Sequence, residues 1–171
     1  MAVRGLQGTS LVQIAERAGV AVGTLYNYFT DRDALVRALF DHRRATLRPL
    51  LRAAGVTAEG QPFDARLRAF IHDVCAALET HRRFVKIAIE CEYAKVTPST
   101  TPQDLLAAAQ AVVDAGIEER TISPTYRALL PSIIVGALKA VMLRRLGEDA
   151  PILGDAELVA SIILDGVRSR P

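Results

Sequence analysis

The stretch GTSLVQIAERAGVAVGTLYNYF, Gly8–Phe29, decides how this chain begins to fold. Ser10 stands just before a run with helical spacing, and Gln13 follows three residues later, the pattern of a capping box that starts a helix. Ala18-Gly19-Val20 closes that helix after about two turns. Gly19 supplies the positive φ that a sharp turn needs, and Val22 to Tyr28 forms a second short helix. Ile14, Val20 and Leu25 are placed to pin the pair at a steep angle. Two helices joined by a short glycine turn, the second short and surface-facing, are the signature of a helix-turn-helix. The free side of the second helix carries Ala21, Val22, Gly23, Thr24, Tyr26, Asn27 and Tyr28. An asparagine amide can pair with both polar atoms of an adenine edge, a threonine can meet a base edge or a thymine methyl, and a tyrosine hydroxyl can bond phosphate. The competing reading is that the aromatic residues pack the helix junction. It is expected to hold for Phe29 and one of the two tyrosines, whereas Tyr26 and Asn27 face away from Leu25 and Phe29.

Downstream, the punctuation describes an all-α chain. Thr30 is placed to cap a long helix over 31–52, with Asp31 and Asp33 in its first turn and an apolar stripe of Leu35, Val36, Leu39, Phe40, Leu47, Leu50 and Leu51. Pro49 is expected to bend or break its last turns. A loop over 55–61 leads to Pro62 in the first turn of a helix with the stripe Phe63, Leu67, Phe70, Ile71, Val74 and Leu78. Further helices are predicted over 82–95, 102–119, 124–146 and 155–168. The 124–146 segment is apolar on nearly every side and needs partners all round. No repeat of 20–50 residues and no low-complexity tract interrupts the 171 residues.

Composition narrows the classes. Half the residues are hydrophobic and 23% are charged, but no apolar run approaches the roughly 20 residues that span a bilayer. The first ten residues hold no secretory signal pattern, which points to the cytoplasm and to no membrane partner. A formal charge of +2 neither requires nor excludes nucleic acid, yet Arg4, Arg17, Arg32, Arg37, Arg43, Arg44 and Arg48 face only Glu16, Asp31, Asp33 and Asp41 in the first 48 residues. Enzyme chemistry finds no purchase: there is no phosphate-cradling glycine loop, no nucleophile elbow and no fixed acid pair, so no catalytic residue and no cofactor are expected. His72, Cys75, Glu90 and Cys91 raise a metal hypothesis, since His72 and Cys75 share a helix face. Against it, His72 lies off the apolar stripe and no compact CxxC exists, so no metal is expected. His42 and His81 stand in charged surroundings typical of a solvated face.

The segment TSLVQIAERAGVAVGTLYNYFTDRDALVRALF, Thr9–Phe40, resembles the DNA-binding segment of the TetR/AcrR transcriptional regulators position for position. That resemblance implies a helix-turn-helix head over 1–47, incomplete at its N-terminus, and an effector-binding and dimerisation domain over 48–171, joined by the long helix. Thr24, Tyr26, Asn27 and Tyr28 are implied as groove and backbone contacts, Thr9 or Ser10 as a phosphate anchor, and Arg32 as occupant of the usual phosphate-binding lysine position. Val22 departs from the family, which commonly has lysine there. The family's first helix corresponds here only to MAVRGLQ, which would leave Ile14, Leu25, Leu35 and Leu39 uncovered. The implied function is a regulator, a repressor by preference, that grips a palindromic double-stranded DNA operator as a homodimer and is released by a small-molecule effector of unknown identity. The alternative is a dimeric small-molecule-binding protein that has lost DNA recognition.

Within the implied effector chamber, Phe70, Val74, Phe84, Ile87, Cys91, Tyr93 and Leu105 are candidate lining residues, and each could equally fill core. The last two helices offer more apolar surface than a small bundle can bury. Ile133, Ile134, Ala137, Leu138, Val141, Leu158, Ile162 and Ile163 are therefore the candidate dimerisation residues.

Overall fold

The computed structural model describes residues 9–93 and 103–167. The predicted helix ends at Lys95, Pro102 and Arg168 lie outside them, as does the segment 97–102. Among the described residues every regular element is helical: α1 Leu11–Ala18, α2 Val22–Tyr28, α3 Arg32–Ala53, α4 Phe63–Thr80, α5 Arg82–Tyr93, α6 Gln103–Glu118, α7 Leu130–Gly147 and α8 Ala156–Val167, with short 3-10 turns between some of them. They fall into two compact units. One, the head, holds 9–46 together with 83–93, and the other, the body, holds 47–82 and 103–167.

The head begins with the expected capping box. The Ser10 hydroxyl accepts the Gln13 amide at 3.2 Å, and the Ser10 amide donates to Gln13 Oε1 at 3.1 Å. Gly19 closes α1 in the left-handed region, φ 68°, and its N–H satisfies the carbonyls of Ala15 and Glu16. The long helix starts differently from expectation. Asp31, not Thr30, holds its first turn, taking the Ala34 amide at 2.7 Å. A carboxylate there satisfies an orphan donor and also complements the helix dipole, which a threonine hydroxyl cannot do. Along α3, Val36 and Phe40 are buried, and Phe84, Ile87 and Ala88 of α5 pack against them. The Phe40 and Phe84 rings meet edge-on with centroids 5.2 Å apart.

In the body, α4 lies against α6 and α8, and α6 against α7. Phe63, Leu67, Phe70, Ile71 and Val74 of α4 are shut off from solvent almost completely, alongside Val113, Ile134, Leu138 and Leu164. Close approach of α4 and α6 depends on Gly116, where a Cβ would stand 2.5 Å from the Phe63 ring. Glu119 finishes the same corner by accepting the Phe63 amide at 2.9 Å and pairing with Arg66.

The segment predicted as one helix over 124–146 divides. Ser123 caps a 3-10 turn over Pro124–Tyr126, and α7 begins only at Leu130. Pro131 explains the later start: in the first turn its missing N–H costs nothing, whereas deep inside a longer helix it would break a hydrogen bond. Likewise, Ile152–Asp155 makes a 3-10 turn before α8.

Candidate nucleic-acid interface

In the head, α2 presents an uneven surface. Leu25 and Phe29 are half-buried, so this side of the helix is anchored, while Thr24, Tyr26, Asn27 and Tyr28 are exposed together with Ala21 and Gly23. Tyr26 keeps 54% and Tyr28 78% of its surface, so neither tyrosine packs the helix junction. That corrects the expectation that one of them would. Val20 is also exposed; Leu11 and Ala15 of α1 are the fully buried residues there, with Ile14 half-buried beside them in sequence. The reason is directional: following the left-handed Gly19, Val20 lies in the turn itself and not on a helix face.

Val22 is half-buried at the start of α2 and Thr9 is half-buried before α1. The Ser10 hydroxyl accepts within its capping box, which leaves its hydrogen free to be donated outward. Arg32 is mostly covered and approaches Asp33 at 3.4 Å, so its guanidinium is held against its own helix start. Arg17, Arg37 and Arg43 are also exposed on the head, and no sequence signal separates them from the other arginines. Of the four residues expected to be uncovered, Ile14, Leu25 and Leu35 are half-buried and Leu39 is exposed.

The candidate effector residues divide between the two units. Phe70, Val74 and Leu105 are buried within the body, whereas Phe84 and Ile87 belong to the head's core around Val36 and Phe40. The side chains of Glu90, Cys91 and Tyr93 lie outside the described residues. Helical spacing reveals which face of α5 is apolar but not which element that face meets. His72 is exposed and reaches Asp73 at 3.4 Å, while Cys75 is buried, its thiol pushed up to about 11 by burial and then by the nearby Asp155 carboxylate. Among the described residues no group of three or more His, Cys, Asp or Glu is placed to hold a metal ion.

The candidate dimerisation residues separate into two sets. Ile134, Leu138 and Ile163 point into the body's own core, and this corrects their assignment to an outer seam. Ile133, Leu158 and Ile162 are exposed, Ala137 and Val141 half-buried, and Leu129, at 62% exposure, joins them. Leu129 sits at the edge of the apolar run, where a helix beginning at 124 hid its position in the turn before α7.

Asp155 is the one buried charged residue in the described core, and it organises the corner between α7 and α8. Arg145 Nε donates to its carboxylate at 2.7 Å and Arg144 also pairs with it. Those hydrogen bonds, Arg145 foremost, hold the carboxyl down at about 2 despite its burial. Arg82 binds the Ala150 carbonyl at 2.7 Å, and Glu79 takes the Ile152 amide at 2.6 Å.

An all-helical body with a helix-turn-helix head, the second short helix of which shows a polar and aromatic face, defines a helix-turn-helix protein. Residues 1–39 match the family model for bacterial regulatory proteins, tetR family. Over 67 residues the chain is 37% identical to the HTH-type transcriptional regulator BetI of Paraburkholderia phymatum, covering 39% of this chain and 34% of that protein. The match to BetI of Burkholderia ambifaria is 36% identical over the same length, so the chain spans about a third of the curated relatives it resembles. Likeness in fold extends much further. The structure of the fatty acid degradation regulator FadR from Bacillus halodurans superposes with a TM-score of 0.74 at 19% identity, over 99% of this chain and 91% of that one. The TetR family transcriptional regulator PfmR from Thermus thermophilus gives 0.64 at 17% identity, over 96% and 92%. Residues 1–39 thus match the DNA-binding segment of the tetR family, and the chain as a whole is similar in fold to regulators of that family.

Proposed function

We propose that the protein is a transcriptional regulator that acts as a repressor, binding an inverted-repeat operator as a homodimer and leaving it when a small molecule binds. The head is taken as 1–47 and the effector and dimerisation body as 48–171. The observation that carries this reading is the face of α2, where Thr24, Tyr26, Asn27 and Tyr28 are exposed together while Leu25 and Phe29 hold the helix from behind. Such a face offers amide, hydroxyl and aromatic groups to base edges and phosphates. Thr9, Ser10, Ala21, Val22, Gly23 and Arg32 form its surroundings in the proposed interface. Exposed Leu129, Ile133, Leu158 and Ile162 support a two-fold seam that presents two such faces roughly 34 Å apart. A ligand releases the operator only by binding the incompetent arrangement more tightly than the competent one. No helix among the described residues is long and apolar enough to cross a membrane, in keeping with action in the cytoplasm.

Fluorescence anisotropy on DNA from upstream of its own gene tests the reading. Wild-type protein should bind an inverted repeat as a dimer, with affinity falling steeply as salt rises. A Tyr26→Ala/Asn27→Ala variant should lose at least about tenfold in affinity and remain dimeric. Absence of binding at low salt retires the regulator in favour of a dimeric small-molecule-binding protein, and a variant that binds as wild type removes α2 from the interface.

A further inference from the structure

The long helix α3 has one interior defect. Pro49 carries no amide hydrogen, so the Ala45 carbonyl lacks its helical donor and the helix is weakest there. Arg48 and Arg52 bracket the defect, four residues apart and thus on one face. Both reach the same carboxylate, that of Asp104 in the first turn of α6. Arg52 Nε donates to Oδ1 at 2.7 Å and Nη2 to the same oxygen at 2.6 Å, while Arg48 Nε donates to Oδ2. Each carboxylate oxygen thus has its own guanidinium. Asp104 is enclosed, 13% exposed, although both arginines remain mostly in solvent. The two hydrogen bonds hold its carboxyl below the usual range. Its place near the start of α6 also aligns the negative charge with the helix dipole.

We propose that Asp104 is a fastener that splints α3 across Pro49 and ties the pitch of its final turns to the first turn of α6. Anchored before and after the proline, the helix resists bending at the one point where its own ladder is interrupted. Movement of the α6 start is then passed to α3 as a change in the bend, and α3 is the same continuous helix that carries the head's Val36 and Phe40. Its link to DNA binding rests on the regulator reading above; the splint itself does not.

Hydrogen exchange on the full-length, ligand-free protein tests the splint. In Asp104→Asn, amides 46–48 and 50–53 should exchange about two- to fivefold faster, while 67–74 in α4 stay unchanged. Arg52→Gln should act in the same direction, and the double variant should add little to either alone. Unchanged exchange in α3, or acceleration spread equally through α4, overturns the splint. For the coupling, operator affinity of Asp104→Asn should change by a similar factor. An unchanged affinity, where wild type binds, overturns the coupling, and failure of wild type to bind retires the regulator reading while the exchange result still decides the splint.

Discussion

Among the described residues, the body and the head are built with different amounts of core. Along α4 alone, Phe63, Leu67, Phe70, Ile71 and Val74 are essentially removed from solvent, and three more helices close over them. The head buries Leu11, Ala15, Val36, Phe40 and Val85, but Ile14, Leu25, Phe29 and Leu35 remain half-covered. At roughly 1.5–3 kcal/mol for each large apolar side chain fully buried, the body rests on bulk burial. The head relies more on local devices: the Ser10–Gln13 capping box, the left-handed Gly19 and the Asp31 cap. A reading surface must keep its side chains outside, and a small unit that does so has fewer left to pack.

The largest expected effect follows from the body. Phe70→Ala should destabilise it by about 3–5 kcal/mol, because the ring is wholly enclosed and its neighbours can collapse only in part. Phe40→Ala is the matching change in the head, where it removes the edge-on contact with Phe84. Its signature should be faster amide exchange over 36–40 and 84–88 with 67–74 protected. Site-resolved exchange after each substitution checks the contrast, and a head variant that opens α4 as readily as its own helices would break it.

A smaller effect, on the order of 2 kcal/mol, separates the two units by pH. The Asp155 carboxyl is depressed from 3.8 to about 2 by Arg145 and Arg144. A depressed acid contributes stability that is fully present above its unfolded value and is lost as pH falls through its folded one. The advantage of wild type over Asp155→Asn should therefore be constant above about pH 4 and shrink towards zero near pH 2. Urea midpoints across that range measure it. An advantage that persists undiminished at the acid end would show that Asp155 holds the α7–α8 corner without its charge.

Much of the fold was legible because its signals are local. Capping at Ser10, the turn at Gly19 and the stripe on α4 each depend on residues within a few positions of one another. The reading of 124–146 as one helix failed for a complementary reason, although Pro131 marks the first turn of α7: apolar residues continue through the preceding turn, and periodicity alone cannot tell a turn from a helix when every face is apolar. The candidate site was half legible. Exposure of Tyr26 and Asn27 follows from their helix face, but the burial of Ile134, Leu138 and Ile163 depends on which neighbour α7 and α8 choose. Phe84 and Ile87 illustrate the same limit, since only tertiary packing assigns α5 to the head. Nor does spacing pair Asp104 with arginines more than fifty positions earlier, a contact set by packing alone.

The smallest effect probes how far the head depends on local devices. Ser10→Ala removes the acceptor for the Gln13 amide and leaves the reciprocal Gln13 contact without its fixed partner geometry. Loss of an N-cap of this kind costs about 1 kcal/mol. In a unit with a deep core that sum is diluted, but α1 is only eight residues long, and only two of those, Leu11 and Ala15, are buried. The expected result is faster exchange over 13–19, about fivefold, with the urea midpoint of the body unmoved. Ser10→Asp should restore protection, because a carboxylate caps equally well and suits the dipole. If Ser10→Ala leaves 13–19 as protected as wild type, the head is held by its packing after all, and the contrast between the two units is one of degree.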